Sequence, residues 1–252
     1  MKKNKTYLVA GCSGLLGATV TKSLLEEGTD VIAMDINPKK HADQFQALAK
    51  LNSCNIKLID ADITNEKNVI MLFDSLGHID GAVNCTYPRN KEYGKHFFDV
   101  TLNSFNENLS LHLGSSFLFT QQAAKYFKRH GTPFSLVNIS SVYGVIPPKF
   151  DIYNDTIMTM PVEYAAIKSA LLHLNKYVVK YVKDSKFRIN SVSPGGIFDH
   201  QPDAFLGAYK SNTNGTGMLD VKDMLGAVKF LLSDEAKYIT GQNIIVDDGF
   251  SL

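Results

Sequence analysis

Excess charge, cysteine and long hydrophobic runs are all scarce in this sequence, and each absence excludes a class of protein. Lys and Arg number 26 against 25 Asp and Glu, a formal net charge of +1, so no overall field attracts nucleic acid or an anionic membrane. No basic stripe with interleaved aromatic residues is present, and we expect no nucleic-acid partner. The three cysteines, Cys12, Cys54 and Cys85, form neither a zinc-ligand pattern nor a disulfide framework. We therefore expect no metal site and a reducing, cytoplasmic compartment.

Export and membrane signals are weak or missing. Residues 1–5 are basic, but the apolar run that follows, Tyr7 to Ala10, is too short for the core of a secretory signal. No stretch approaches the roughly 18 apolar residues of a membrane span, so we expect no membrane partner. There is no internal repeat, low-complexity tract or linker. With 44% hydrophobic and 20% charged residues, the composition is that of a globular protein, and we expect one domain over residues 1–252.

Short apolar runs alternate with amphipathic segments along the chain. The predicted strands are rich in Val and Ile without strict alternation, as strands buried on both faces should be. They are Thr6–Ala10, Asp30–Asp35, Ile56–Asp60, Gly81–Asn84, Ser135–Ile139, Arg188–Val192 and Asn243–Val246. The predicted helices include Gly17–Glu27, Phe105–Lys128, Pro161–Val182 and Val221–Leu232. This alternation predicts an α/β fold with a doubly wound, mostly parallel sheet and helices on both faces.

A glycine-rich turn joins the first predicted strand to the first predicted helix. It reads Gly11-Cys12-Ser13-Gly14-Leu15-Leu16-Gly17. Glycine lets the backbone approach a pyrophosphate closely, and the helix offers its free N–H groups and the positive end of its dipole to that anion. Gly17 lets the helix pack against the strand. The G-x-x-G-x-x-G spacing is weak alone, but its position favours a dinucleotide site at Gly11 and Ser13 to Gly17.

Asp35 ends the second predicted strand, roughly twenty residues after the last glycine of the turn, where this fold places a carboxylate on the adenosine ribose hydroxyls. The same carboxylate would repel a 2′-phosphate, so we predict NAD in preference to NADP. Lys39 and Lys40 lie close enough to soften that preference. Alternatively, Asp35 only starts a turn with Asn37 and Pro38.

Asp62 and Ile63 follow the third predicted strand. Asp62 could bond the adenine edge of a dinucleotide. It could equally cap a helix beginning near Thr64, since Asp and Thr both favour that position. The two roles are compatible.

Tyr164 and Lys168 lie four residues apart in a predicted helix and so share a face. A tyrosine with a pKa of about 10 is a poor acid–base group at neutral pH. A nearby ammonium and the positive nicotinamide would stabilise the phenolate and lower that pKa. Tyr164 would then exchange a proton with a substrate oxygen while the cofactor carries the hydride. A Tyr and a Lys four residues apart occur by chance in many helices, so the surrounding motifs decide whether this pair is catalytic.

That context lies at the carboxyl ends of two predicted strands, where α/β sheets bind ligands. Ser140 and Ser141 follow one strand, and a serine there can donate to a substrate carbonyl. We favour Ser141, with Ser140 as the alternative. Another strand ends in a turn containing Pro194, Gly195 and Ile197, which suits backbone closing around a nicotinamide.

In this order, the motifs resemble the short-chain dehydrogenase/reductase superfamily across essentially the whole chain. The matching features are the glycine turn, Asp62, Asn84, Ser140-Ser141, Tyr164 with Lys168, Pro194-Gly195 and the Gly241 to Gly249 end. The resemblance implies a single-domain Rossmann fold with a seven-stranded sheet, NAD(P) binding and homo-oligomers, dimers or tetramers. It also implies that Asn84 contributes to the cofactor site and that Lys168 binds the nicotinamide ribose.

Several runs are similar, more narrowly, to flagellin-modification oxidoreductases of bacterial nonulosonic-acid pathways. They are Tyr87–Lys91, His96–Val100, Met158–Lys168 and Ile244–Leu252. The similarity implies a sugar or sugar-nucleotide substrate.

Departures from the superfamily pattern suggest where this chain differs. Its Asn-Asn-Ala-Gly motif is replaced by Asn84-Cys85-Thr86-Tyr87. The helix Asn of the catalytic tetrad aligns with His112, which could hold the same proton-relay water, titrate itself with a pKa near 6.5, or pack between core faces.

Two long loops, Tyr143–Met160 and Phe198–Gly217, are predicted substrate lids, with an oligomer contact as the alternative for the first. Arg89, Asn90, Lys91 and Tyr93 are expected at the cofactor end of the sheet. Arg89 could grip a phosphate or carboxylate there, or be simply solvated.

The leading hypothesis is an NAD(P)-dependent oxidoreductase that interconverts a hydroxyl and a carbonyl on a polar, sugar-like substrate. One rival is an NAD-using sugar-nucleotide epimerase or dehydratase, but those enzymes carry a sizeable C-terminal substrate domain. Too few residues follow Lys168 for that domain. The other rival is a non-catalytic dinucleotide-binding protein. It would be expected to lack Tyr164 or Lys168, and only His112 favours it.

Overall fold

Seven strands form a single parallel sheet in the computed structural model, which describes residues 5–252. The strands are β1 Thr6–Ala10, β2 Asp30–Asp35, β3 Ile56–Asp60, β4 Gly81–Asn84, β5 Phe134–Ile139, β6 Phe187–Pro194 and β7 Asn243–Val246. Their order is β3-β2-β1-β4-β5-β6-β7, and every neighbouring pair is parallel. The chain therefore leaves β1 in one direction and returns to β4 on its other side. This reversal confirms the predicted doubly wound Rossmann sheet.

Eight α-helices connect the described strands. They are α1 Leu15–Glu26, α2 Ala42–Leu51, α3 Glu66–Ser75, α4 Leu102–Asn108, α5 Ser115–His130, α6 Val162–Val182, α7 Asp203–Lys210 and α8 Leu225–Leu232. The predicted helix over Phe105–Lys128 is helical throughout, but a π-helical turn over Leu109–Gly114 divides it into α4 and α5. A π turn adds a residue to the helical repeat, which apolar periodicity does not reveal. The predicted loop Phe198–Gly217 contains α7, whose Phe205 and Tyr209 are buried on one face.

The core covers both faces of the sheet because successive strand residues point to opposite sides. On one face, Val9, Val83, Val137 and Val192 pack in a cluster that includes side chains of α1, α2 and α8. On the other face, Leu8, Ala82, Leu136 and Ile189 pack with side chains of α3 and α5. Within residues 5–252, no helix is long and apolar enough to cross a membrane.

Candidate active site

A cleft of about 890 Å³ opens at the carboxyl ends of the central strands. Most of the predicted site residues line it, namely Gly11, Ser13, Gly14, Leu15, Leu16, Gly17, Asp35, Asp62, Ile63, Tyr164, Lys168, Pro194 and Ile197. Ser141, His112, Asn84 and Gly195 are not among its lining residues. We call the part formed by residues 11–17 the glycine-turn end and the part formed by residues 86–89 the Tyr87 end.

The glycine-turn end has the shape that a dinucleotide pyrophosphate requires. Gly11 has a φ of +83°, and a Cβ there would lie 3.0 Å from the carbonyl carbon of Cys85. A Cβ on Gly17 would overlap the carbonyl oxygen of Gly11. Gly14 caps α1 without a side-chain hydrogen bond to the first turn, so the helix N–H groups there have no side-chain acceptor. These residues fit the phosphates of a dinucleotide.

Asp35 combines the two predicted alternatives, since it lines the cleft and also starts a turn. Its Oδ2 accepts a hydrogen bond from the Ser13 N–H (3.0 Å), and its Oδ1 accepts one from the Asn37 N–H (3.0 Å). The Lys40 Nζ donates to the Ser13 carbonyl (3.1 Å) and lines the same part of the cleft. A carboxylate and an ammonium therefore flank the place where an adenosine ribose would bind.

Asp62 lines the cleft but does not cap a helix. Its Oδ1 accepts from both the N–H (2.8 Å) and the hydroxyl (2.7 Å) of Thr64. The predicted helix near Thr64 is present but begins two residues later, at Glu66. Asn65 is the cap, and its side chain accepts from the Asn68 N–H at 3.2 Å.

Asn84 and Gly195 support the cleft from behind. The Asn84 Oδ1 accepts from the N–H (3.1 Å) and hydroxyl (2.7 Å) of Thr86, which fixes the turn that leads to Tyr87. The Gly195 N–H donates to the Val246 carbonyl at 2.8 Å. A Cβ on Gly195 would lie 2.6 Å from the Tyr209 hydroxyl, so only glycine fits beside α7 without a shift.

Helix α6 carries Tyr164 and Lys168 into the cleft on one face. The Lys168 Nζ lies 5.5 Å from the centroid of the Tyr164 ring and donates to the Ile139 carbonyl at 2.9 Å. Burial lowers the pKa of Lys168 to about 7. Burial also raises the pKa of Tyr164, and the neighbouring Ser141 hydroxyl opposes that rise. In the protein's own groups the loss of water therefore outweighs the Ser141 hydrogen bond, and the expected lowering would depend on the charge of a bound nicotinamide.

The two serines after β5 differ in what their hydroxyls contact. The Ser140 hydroxyl donates to the Lys168 carbonyl at 2.9 Å and so holds β5 against α6. The Ser141 Oγ accepts from the Tyr143 N–H at 3.2 Å and keeps its own proton to donate. Of the two serines only Ser140 lines the cleft, whereas only Ser141 has a hydroxyl proton left for a substrate oxygen.

His112 is buried in the π-helical turn, 2% exposed. Its Nε2 lies 3.5 Å from the Lys168 Nζ. Burial, with the positive charges of Lys168 and Arg89, lowers the pKa of His112 to about 2. The lowered pKa favours the alternative in which His112 is a buried neutral imidazole that contacts Lys168 over titration near neutral pH.

The sequence did not identify Tyr87 as part of the catalytic cluster. Its ring centroid lies 5.1 Å from that of His112 and 5.7 Å from that of Tyr164, edge to face in both pairs. The replacement of the superfamily's Asn-Ala-Gly by Cys85-Thr86-Tyr87 at the end of β4 was the available signal. The buried Glu163 was also missed, beside Tyr164 and 1% exposed.

Comparisons with known proteins agree with this geometry. Residues 11–251 match the family model described as enoyl-(acyl carrier protein) reductase. Post-translational flagellin modification protein A of Campylobacter coli is 35% identical over all of both chains. An NADP-dependent (R)-specific alcohol dehydrogenase of Lentilactobacillus kefiri is 27% identical over 99% of this chain and 97% of its own.

A solved structure agrees as well. The short chain dehydrogenase from Leptospira borgpetersenii with bound NAD+ has a TM-score of 0.84 and 30% identity, covering 99% of this chain and 94% of that one. The fold, the match over nearly the whole length and these relatives confirm the resemblance seen in the sequence. The chain belongs to the short-chain dehydrogenase/reductase family and is an NAD(P)-dependent oxidoreductase.

Proposed function

We propose that this enzyme interconverts a hydroxyl and a carbonyl on a polar, sugar-like substrate, with NAD as the preferred cofactor and Tyr164 as the acid–base group. The proposal rests on the placement of Tyr164 and Lys168 in one cleft with the glycine turn, where the first N–H groups of α1 have no side-chain acceptor. A bound nicotinamide would supply or accept the hydride. The whole dinucleotide would be held by the glycine turn, Asp35, Asp62, Ile63 and the strand ends at Pro194 and Ile197.

Residues of the chain itself transfer the proton, bind the substrate oxygen and bind the cofactor ribose. Tyr164 gives or takes the proton at its phenol oxygen, and Ser141 donates a hydrogen bond to the substrate oxygen. The Lys168 Nζ binds the ribose hydroxyls and, when protonated, stabilises the Tyr164 phenolate. His112 is a positioning residue: in the tautomer that leaves Nε2 unprotonated, its ring accepts from the Lys168 Nζ at 3.5 Å and fixes the direction of the ammonium.

Asp35 supports NAD over NADP. Its carboxylate lines the cleft with both oxygens already directed by backbone N–H groups, and a 2′-phosphate placed there would meet a negative charge. Lys40 is held by the Ser13 carbonyl, which reduces its freedom to attract a phosphate.

The two long segments after β5 and β6 support a substrate cover. Met160 of the first segment and Asp199 and Gln201 of the second line the cleft. The segments contact each other through Tyr153 and Phe205, whose ring centroids are 5.2 Å apart. We propose that residues 143–160 and 198–217 enclose the substrate. The flagellin-modification relative from Campylobacter coli supports a sugar or nucleotide sugar as that substrate.

A screen of sugar and nucleotide-sugar alcohols and ketones, followed by NADH absorbance, tests this function. We expect turnover of at least one polar compound, and its loss in Tyr164→Phe. Turnover of simple apolar alcohols alone would contradict the assignment of substrate.

We also propose a homo-oligomer, a dimer or tetramer, in the cytoplasm. Helices α5 and α6 expose Phe117, Tyr177 and Tyr181, which a second copy could cover. The three cysteines are free, as suits a reducing compartment. Light scattering on the purified protein measures the assembly, and a monomer at micromolar concentration would contradict it.

A further inference from the structure

A guanidinium stands at the Tyr87 end of the cleft, on the segment that connects β4 to α4. The Arg89 guanidinium carbon lies 4.9 Å from the centroid of the Tyr87 ring and 6.0 Å from that of Tyr93. The two tyrosine hydroxyls are hydrogen-bonded to each other. Cation–π attraction to both rings therefore holds the guanidinium beside a ring that also contacts Tyr164.

Within the described residues, no carboxylate forms an ion pair with Arg89. Arginine keeps its charge at every working pH and presents a planar fork suited to carboxylate and phosphate. The positive charge acts within the catalytic cluster, since it contributes to lowering the pKa of His112.

The segment that carries Arg89 is anchored by its neighbour, Asn90. The Asn90 N–H donates to the Oδ1 of Asn108 at 3.0 Å, and the Asn108 Nδ2 donates back to the Asn90 Oδ1 at 3.1 Å. The Asn90 Nδ2 donates to the Ser104 hydroxyl at 3.1 Å and to Glu107 at 2.7 Å. Asn108 is 1% exposed and also donates to Glu163, at 3.3 Å. These bonds fix the backbone next to Arg89, so a ligand that binds the exposed guanidinium has to order only the Arg89 side chain.

We propose that Arg89 binds an anionic group of the substrate, a carboxylate or a phosphate, in a bidentate pair. Asn90 is the positioning residue for this contact. The proposal rests on the proposed function and deepens it, because it restricts the substrate to molecules that carry an anion near the reacting hydroxyl or carbonyl.

Binding to the NAD-saturated enzyme tests the proposal, since NAD occupies the other anion site. The probes are glucose, glucuronate and glucose 6-phosphate, measured by saturation-transfer NMR and calorimetry. We expect at least one anionic sugar to bind ten times more tightly than glucose, and Arg89→Gln to remove that difference. Which anion binds distinguishes a carboxylate site from a phosphate site. Equal binding of all three sugars by the unaltered enzyme, or an unchanged preference in Arg89→Gln, would overturn the proposal.

Arg129→Gln is the matched control, because it makes the same change at an exposed arginine on α5 that does not line the cleft. This control should keep the anion preference. Asn90→Ala should raise the KM of the anionic substrate severalfold with little change in kcat and no effect on a neutral one. An equal loss on neutral and anionic substrates would reject the positioning role. If no sugar is oxidised or reduced at all, the proposed function fails, while the binding measurement still decides the role of Arg89.

Discussion

The two ends of the cleft are built in different ways. The glycine-turn end consists of short turns directly after strands, with Asp35 as its main charged group. The Tyr87 end is bordered by residues 87–93, 143–160 and 198–217, which are long segments held by side chains from distant elements. Tyr164 stands where the two ends meet. The difference teaches that backbone geometry determines one end and tertiary packing determines the other.

The largest effect is expected at the junction of the two ends. Tyr164→Phe keeps the ring that packs on Tyr87 and removes the hydroxyl that moves the proton. We expect turnover to fall about 10²–10⁴-fold, while NADH still binds, as measured by absorbance and by fluorescence titration. Tyr238→Phe, at an exposed position that does not line the cleft, should have no effect. Turnover in Tyr164→Phe within a few fold of the unaltered enzyme would separate Tyr164 from the chemistry.

A change confined to the glycine-turn end should alter cofactor choice alone. Asp35→Ser removes the charge that repels a 2′-phosphate, so we expect the ratio of NADP to NAD dissociation constants to fall about tenfold, roughly 1.4 kcal/mol. The substrate KM should stay constant. Asp60→Ser is the control, since Asp60 is the exposed last residue of β3 and does not line the cleft. Tighter binding of NADP than NAD by the unaltered protein would reject the role of Asp35.

Lys168 has proposed roles toward both the cofactor and Tyr164, and burial of its ammonium costs free energy of folding. Its pKa is about 7 in the folded protein against an ordinary 10.5. Between these two values the unfolded chain binds more protons, so the contribution of Lys168 to stability rises from pH 7 to pH 10.5. Lys168→Met should therefore be more stable at pH 7, despite losing the bond to Ile139, and the gain should shrink as the pH approaches 10.5.

Thermal unfolding at pH 7 and pH 9.5 measures this difference, with each kcal/mol shifting Tm by about 2–4 °C. Lys176→Met, at an exposed position on α6, should show no such pH dependence. A Lys168→Met variant whose stability advantage grows with pH would contradict the lowered pKa.

The smallest effect is expected at His112. Since its pKa is about 2, the imidazole is neutral throughout an assay from pH 6 to 9, and asparagine can also accept from Lys168. His112→Asn should lose no more than the value of one hydrogen bond, roughly tenfold in rate, and keep the shape of the pH profile. His173→Asn, exposed on α6, is the control. If the acid limb of the profile disappears in His112→Asn alone, His112 titrates after all.

The glycine-turn end could largely be predicted from the sequence, whereas the Tyr87 end could not. The glycine turn, Asp35 and the Tyr164–Lys168 pair lie within single strand–turn–helix units, so local patterns were sufficient to locate them. The π turn around His112 was not predictable, because apolar periodicity does not distinguish it from an α-helix. The Asn90–Asn108–Glu163 contacts join residues far apart in the chain. The rise that burial gives to the Tyr164 pKa could not be predicted either, since desolvation depends on the packed structure.

A crystal structure of the protein with NADH tests the central claim most directly, namely that the two ends of one cleft meet at Tyr164. We expect the pyrophosphate at the glycine turn, the adenosine ribose on Asp35, and the nicotinamide beside Tyr164 and Lys168, with the Tyr87 end left open for substrate. A nicotinamide that lies away from Tyr164, or a dinucleotide that fills the Tyr87 end, would contradict the account.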